Sequence, residues 1–558
     1  MGSLEATEAL GAPDPRNPHR GADWPWLLRA DGFDELVRAR AAQTPDALLL
    51  VDEHDERISC SEFDARLSRV AAALSAQGIG AGSRVAWQLP TRLSTMLVLG
   101  ALRRLGAVQA PIIPLYRDRE VSAALATSEA EFFLTPGEWN GYDFAAMADR
   151  IRQADGPAPT LLAIGHEAPG PADGDSPAPA DTAASAGDSD AVRWIYFTSG
   201  STGAPKGARH TDESLLAAAE AFAGIGRLGS QPDEVAAMGF PVAHVGGVVY
   251  FAAALAAGFP ILLLESFVPP SAVELFRRHG VTTTGGAPPF YTALLAMARQ
   301  TPDERLLPLL RSLKGGGAPC PPELAHAVQA ELGAVLAHDY GMTECPMVAV
   351  GCPDDPVDER ADSDGWPIPA NELRLVAVAG QSREPGDASQ VGEICQVGQV
   401  GQVGEVQVRG KAVCRGYTDP AETATAFTDD GWFRTGDLGR IRASGQLEVV
   451  GRTKDLIIRK GENIAPLEIE ELLGRHPDVA EVAVIGLHDD ERGERVCAVV
   501  VPRTAAKPTL AELAAWLTEA GLMRHKHPEQ LEIVDELPRT GLAKVAKSAL
   551  RERFANSR

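Results

Sequence analysis

Residues 194–207 read Trp194-Ile195-Tyr196-Phe197-Thr198-Ser199-Gly200-Ser201-Thr202-Gly203-Ala204-Pro205-Lys206-Gly207. The apolar run at the start describes a buried strand. The ten residues after it are small, hydroxylated and rich in glycine, with a single lysine near their end. Such a loop suits a phosphate: glycines let backbone N–H groups approach, hydroxyls donate, and Lys206 adds a point charge. It is not the G-x-x-x-x-G-K-[ST] loop, because Pro205 precedes the lysine and Gly207 comes after it. The competing reading is a flexible Ser/Gly turn. The density of donors directly behind a buried strand argues against it.

Outward from this loop, residues 63–77 and 91–105 have helical apolar spacing, and residues 84–89 read as a strand. Alternating helix and strand predicts βαβ units around a mainly parallel sheet. Between residues 154 and 190 the composition shifts to Ala, Pro, Gly, Asp and Ser, which predicts an exposed loop. From Val391 a V-G-Q/E triplet recurs in tandem, too short for a solenoid and read as an expanded strand and turn. After Gly451 the pattern restarts with a helix opening at Pro466, strands at 482–485 and 496–501, and a helix at 510–520. The expectation is a loose tail over residues 1–30 and a large α/β domain over 31–451 with mixed and parallel sheets flanked by helices. A small α+β domain is expected over 452–558, joined through Gly451-Arg452-Thr453-Lys454.

A chain of 558 residues has room for at least two domains with large cores. Its Lys+Arg total of 52 against Asp+Glu of 76 leaves a formal charge of −24, which opposes any broad face for nucleic acid or anionic lipid. A bound phosphate must then be held by a local pocket. The seven cysteines show no C-x-x-C pair or zinc spacing and fit reduced thiols in a cytoplasmic setting. The first residues have no apolar core of a signal peptide. Residues 245–264 carry no charge and are as long as a bilayer span, but Gly258 and Pro260 interrupt them. They read as a core helix followed by a buried strand, so no transmembrane segment is expected.

Two further constellations carry chemistry. In His338-Asp339-Tyr340-Gly341-Met342-Thr343-Glu344, preceded by a strand at 335–337, Tyr offers a stacking face, Thr a hydroxyl and Glu a hard oxygen ligand for Mg²⁺. In Gly431-Trp432-Phe433-Arg434-Thr435-Gly436-Asp437, an Asp behind a turn could accept both hydroxyls of a ribose. Alternatively its side chain caps its own turn.

The strings YFTSGSTGAPKG (196–207), YGMTE (340–344), GWFRTGDLG (431–439), GRTKDLIIRKGENIAPLEIE (451–470) and LPRTGLAKVAKSALR (537–551) together resemble the AMP-binding, adenylate-forming superfamily, in order and approximate spacing, over nearly the whole chain. The resemblance implies an acyl-CoA synthetase type of enzyme: a carboxylate attacks the α-phosphate of ATP to give acyl-AMP and pyrophosphate, and a thiol then displaces AMP. It implies that Thr198, Ser199, Gly200, Ser201, Thr202, Gly203 and Lys206 embrace the β- and γ-phosphates. Gly317, Ala318 and Pro319 with Tyr340 would frame the adenine, and Asp339, Gly341 and Met342 would also belong to the ATP site. Thr343 would touch the α-phosphate, Glu344 would bind Mg²⁺, and Asp437 with Arg452 would hold the ribose. His244, with Gly247, Gly285 and Gly316, would flank the acyl pocket; on the sequence alone a satisfied core histidine is the competing reading. Lys544 would reach the reacting phosphate from a mobile C-terminal lid, with Lys454 at the hinge and Gly461 and Glu462 at the channel of coenzyme A.

Charge physics agrees, since an anionic carboxylate attacking a triphosphate needs neutralisation from Lys206, Lys544 and Mg²⁺ in a water-poor cleft. Two residues depart from the family pattern. Ala543 stands where Gly usually precedes the catalytic lysine; a positive φ there would cost Ala on the order of 1–2 kcal/mol. Asp212 stands where His is frequent. The small residues Gly246, Gly247, Gly285, Gly286 and Gly315 to Gly317 predict volume for a hydrophobic acid, fatty or alicyclic. One alternative is an adenylating enzyme that loads a carrier-protein thiol. Another is a ligand-binding relative without turnover.

Overall fold

The computed structural model describes residues 17–19, 22–154, 156–170, 191–199, 205–377, 394–395, 401–459, 462–489, 492–504, 507–539 and 545–555. The chain divides into two compact units. One comprises Asn17–Glu372 and Arg409–Phe433, the other Leu373–Val408 and Arg434–Arg558. The strands Phe433–Ile441 and Leu447–Arg452 pair with each other, and the second packs on the helix Pro466–Gly474.

The larger unit is built on two twisted sheets whose interiors are parallel. In the nine-stranded sheet, Val335–Met342, Ser312–Gly316, Thr283–Gly285, Ala236–Met238, Ile261–Leu263 and Leu48–Val51 run parallel in that spatial order, with antiparallel strands at both edges. In the six-stranded sheet, Val192–Ser199, Val108–Pro111, Arg84–Trp87, Phe132–Thr135 and Thr160–Ala163 are parallel, and Pro205–Thr211 folds back antiparallel along one edge. The alternating pattern read from the sequence is thus a mixed α/β architecture with helices on the sheet faces.

Local chemistry explains the elements that support the site. The helix Cys60–Ala76 is capped by the Ser59 hydroxyl, which accepts from Glu62 N, and it buries Phe63, Leu67, Val70, Ala71 and Leu74 on one face. That face meets the helix Leu93–Arg104, every residue of which is buried. A Cβ on Gly100 would lie 2.7 Å from Leu67 Cδ2, so glycine permits the close approach. The uncharged stretch resolves into the helix Val245–Ala257, ended by Gly258 at φ +83°, and the strand Ile261–Leu263. Its 13 helical residues span about 20 Å, well short of a bilayer core of about 30 Å. Among the described residues no helix is long and apolar enough to cross a membrane.

Two expectations change. The strand predicted at 335–337 continues to Met342 and pairs back on Cys345–Val350, with Met342 opposite Cys345. Thr343 and Glu344 therefore form the tight turn of a hairpin, because the return strand is fully buried and extends the sheet. Asp437 lies within the strand Phe433–Ile441 rather than behind a turn. The C-terminal sheet pairs Val479–Asp489 with Gly493–Pro502, and helices Pro466–Gly474 and Leu510–Glu519 supply Leu473, Leu513 and Leu517 to its core.

Candidate active site

The Ser/Gly-rich loop joins the two strands of an antiparallel hairpin in which Lys206 stands opposite Thr198 and Pro205 opposite Ser199. Gly200, Ser201, Thr202 and Gly203 lie outside the described residues, as do Gly461 and Lys544. Ser199 and Glu462 are described as strand backbone. The Lys206 ammonium is paired with the Glu422 carboxylate and stands 5.4 Å from the centroid of the Tyr417 ring. Tyr417 reaches this position because residues 415–418 run alongside the lysine strand. Arg209 N donates to Gly416 O, Arg415 N to Arg209 O and Thr418 N to Gly207 O, and Ala208 bridges Tyr417.

The same segment fastens the Thr343–Glu344 turn. The Tyr417 hydroxyl donates to Glu344 Oε1 at 2.6 Å, and Cys414 N donates to the Glu344 carbonyl at 2.8 Å. Glu344 is only 8% exposed, so its carboxylate is oriented in an interior where a misplaced charge would be costly. Burial and the adjacent Glu344 charge push the Tyr417 phenol far above its usual range, which keeps it a donor. From the other side, His210 Nε2 lies 2.7 Å from the Thr343 carbonyl and Nδ1 lies 2.9 Å from Ser214 Oγ. A carbonyl can only accept, so Nε2 carries the proton and Nδ1 accepts from the serine. Burial lowers the His210 pKa to about 4, so the ring is neutral at physiological pH.

The segments expected to frame the adenine are brought together by close backbone approach. Gly316 stands opposite Asp339, and a Cβ on it would fall 1.8 Å from Asp339 O. Gly341 is equally constrained, 2.0 Å from Pro346 O. Gly317, at φ +91°, is open, while Ala318 and Tyr340 are half-buried and Pro319 and Gly317 exposed. Asp339 differs from expectation: its carboxylate is buried and accepts from Lys314 Nζ and Gly351 N, each at 2.9 Å, so it braces two strands from within. Met342 pairs at the end of its strand, beside half-buried Thr343.

Three of the glycines expected to leave volume for the acid do not supply it. A Cβ at Gly247 would sit 2.5 Å from Val242 Cα, at Gly285 2.6 Å from the Phe240 ring, and at Gly315 2.1 Å from Gly286 O. Their missing side chains are filled by neighbouring protein. His244 itself is half-buried and caps the helix Val245–Ala257, its Nδ1 accepting from Gly246 N at 3.1 Å. In the same unit Phe240 is edge-on to Tyr250, and Phe267 is edge-on to Phe290 at 4.8 Å between centroids.

In the smaller unit, Asp437 and Arg452 face each other across paired strands, and Arg452 Nε lies 2.8 Å from Asp437 Oδ1. The Asp437 carboxyl is buried and the guanidinium half-exposed, an arrangement that holds one acid firmly beside an accessible donor. Lys454 is exposed within the 3₁₀ turn Thr453–Asp455, which Thr453 Oγ1 ties to Gly436 O at 2.9 Å. In the larger unit, the odd residue Asp212 proves to be interior: its Oδ2 accepts from Arg103 Nε at 2.6 Å and from Phe33 N at 2.8 Å, and its Oδ1 from Trp194 Nε1. Sequence reading missed His210, Cys414, Tyr417 and Glu422 as site residues. Their partners are distant in the chain, and nothing periodic marks them.

The larger unit thus carries the hairpin of Lys206 and a buried glutamate turn, and the smaller unit an Asp/Arg pair. The family model for "AMP-binding enzyme" matches residues 37–418, and that for "AMP-binding enzyme C-terminal domain" matches residues 468–544. The chain is 31% identical over 540 residues to the medium-chain fatty-acid–CoA ligase of Escherichia coli, covering 95% of this chain and 91% of that one. It is 32% identical over 534 residues to the 2,3-dihydroxybenzoate-AMP ligase of Bacillus subtilis, covering 93% of each. The ATP-bound crystal structure of MatB from Rhodopseudomonas palustris superposes with a TM-score of 0.78 at 29% identity, covering 94% of this chain and 99% of that one. Motifs, fold and relatives agree that the chain belongs to the AMP-binding enzyme family, the adenylate-forming superfamily.

Proposed function

We propose that this chain is an AMP-forming acid–thiol ligase that activates a hydrophobic carboxylic acid, fatty or alicyclic, as its acyl-AMP and passes the acyl group to coenzyme A. The observation that carries the reading is the conjunction of Lys206 on the phosphate hairpin with the buried, oriented Glu344 in one compact unit. In the first step a substrate carboxylate oxygen bonds to the α-phosphorus of ATP and pyrophosphate leaves. In the second a thiol sulfur bonds to the acyl carbon and AMP leaves.

Lys206 gives the triphosphate a counter-charge, and the hydroxyls and backbone of residues 198–203 would wrap it. Thr343, held through its own carbonyl by His210, would present its hydroxyl to the α-phosphate. Glu344 would hold the Mg²⁺ of the nucleotide, which supplies charge neutralisation; Mg²⁺ takes few carboxylates and several phosphate oxygens, so one fixed acid fits it. Tyr340 and Gly317 to Pro319 would receive the adenine, and Asp437 with Arg452 the ribose. Lys544 would serve the first step, with Lys454 as the hinge and Gly461 and Glu462 meeting the thiol donor.

Residues 240–247 around His244 carry no acidic side chain to pair with a substrate amino group, which favours an apolar acid over an amino acid. One named relative is a fatty-acid–CoA ligase and the other is named only as an AMP ligase, so a carrier-protein thiol is the second acceptor to test. Pyrophosphate–ATP exchange across medium-chain, alicyclic and aryl acids decides the acid. Adding either coenzyme A or a phosphopantetheinylated carrier decides the acceptor. Exchange with a medium-chain or alicyclic acid and thioester formed on coenzyme A are expected; no exchange with any acid overturns the enzyme reading.

A further inference from the structure

One side chain outside every motif read from the sequence touches both charged ends of the nucleotide machinery. Tyr417 is buried, 5% exposed, and belongs to residues 415–418, which are laddered onto the lysine strand through bonds from Arg209, Arg415 and Thr418. Its hydroxyl donates to Glu344 Oε1 at 2.6 Å, and its ring lies 5.4 Å from Lys206 Nζ. A phenol on a carboxylate is a short, charge-assisted bond, and an ammonium near an aromatic face gains from the ring quadrupole. The two interactions come from different parts of one rigid side chain and can be removed separately.

We infer that Tyr417 is a positioning residue that orients Glu344 for the cation of the nucleotide through its hydroxyl and steadies Lys206 for the phosphates through its ring. This rests on the ligase reading above. A carboxylate offers two oxygens and about four lone-pair sites, so the phenol fixes its direction and leaves ligating capacity. Without the hydroxyl, Glu344 Oε1 loses a short, charge-assisted bond that sets its direction, and this loss weakens its grip on a cation.

The test measures ATP binding by titration calorimetry on the full chain with no acid present, once with Mg²⁺ and once with EDTA, for wild type, Tyr417→Phe and Tyr417→Leu. Phe keeps the ring beside Lys206 and deletes the hydroxyl; Leu deletes both. The expected result is that Tyr417→Phe binds ATP in EDTA as wild type does but loses about tenfold of the gain conferred by Mg²⁺. Tyr417→Leu should lose that gain and also bind ATP several-fold more weakly in EDTA. Far-UV circular dichroism and melting temperature establish that each variant is folded. The full Mg²⁺ gain in folded Tyr417→Phe overturns the positioning role alone. Wild type that binds no ATP, or binds it without any Mg²⁺ gain, overturns the ligase reading and this inference together.

Discussion

At the scale of single residues the site is held in place by side chains that perform no chemistry themselves. The Thr343–Glu344 turn is held at two carbonyls and one carboxylate oxygen, by the His210 ring, the Cys414 backbone N–H and the Tyr417 hydroxyl. Lys206 is held in a different way, since its partner Glu422 sits on the short helix Pro420–Ala426 and carries the charge a triphosphate would bring. Binding ATP must replace that acid, and a partly exposed pair of this kind contributes little to stability in its own right. Glu422→Gln should therefore tighten ATP binding several-fold, while stability stays within about 0.5 kcal/mol of wild type. The same exchange made in a Lys206→Met background should tighten it far less. Direct ATP titration of the four proteins in this cycle reads the coupling, and equal effects of Glu422→Gln in both backgrounds would show that the acid repels nucleotide without acting through Lys206.

At the scale of elements, Asp212 shows why a departure from a family pattern can be structural. Its carboxylate joins the start of the helix Phe33–Gln43, the end of the helix Leu93–Arg104, the strand Val192–Ser199 and the start of its own helix Asp212–Ile225. Arg103 and Asp212 are both almost wholly buried. Breaking such a pair from one side strands the other charge, so Asp212→Ala should lose about 3–5 kcal/mol in urea unfolding. Restoring the frequent histidine, Asp212→His, should destabilise as well, because a ring placed against Arg103 adds no negative charge. Stability equal to wild type in either variant would show that Arg103 finds another partner. The strands and helices themselves were legible in the sequence, since periodicity and caps are local: residues 63–77, 91–105, 466–476 and 510–520 fold much as their spacing predicts. The strand that enters the Ser/Gly-rich loop was legible for the same reason, while the return strand Pro205–Thr211 was not expected. The ties from Arg103 to Asp212, Lys314 to Asp339, His210 to Thr343 and Tyr417 to Glu344 were not, because each joins residues far apart whose pairing depends on sheet order. The glycines at 247, 285 and 315 misled the reading: the sequence cannot tell a glycine that opens a cavity from one that admits a neighbouring backbone.

At the scale of the whole molecule, the proposed function asks a chain of formal charge −24 to bind a polyanion, and the residues proposed for it include the cations Lys206, Arg452 and Lys544. Two of these belong to the C-terminal half, and the two chemical steps make different demands on them. Attack of a carboxylate on the α-phosphorus develops charge at phosphate oxygens, which Lys544 would offset in its proposed role; displacement of AMP by a thiol starts from an adenylate whose pyrophosphate has already gone. Ala543 immediately precedes Lys544 and replaces the usual glycine. If the backbone there adopts positive φ, Ala costs on the order of 1–2 kcal/mol in the first step alone, a factor of about ten or more in rate. Ala543→Gly should then raise pyrophosphate–ATP exchange about tenfold, while thioester formation from supplied acyl-AMP stays unchanged. Measuring both half-reactions on the same preparation separates the outcomes. Exchange unchanged by the glycine would show that the backbone at 543 tolerates Ala. A parallel rise in both half-reactions would assign residue 543 to the stability of the C-terminal unit and not to delivery of Lys544.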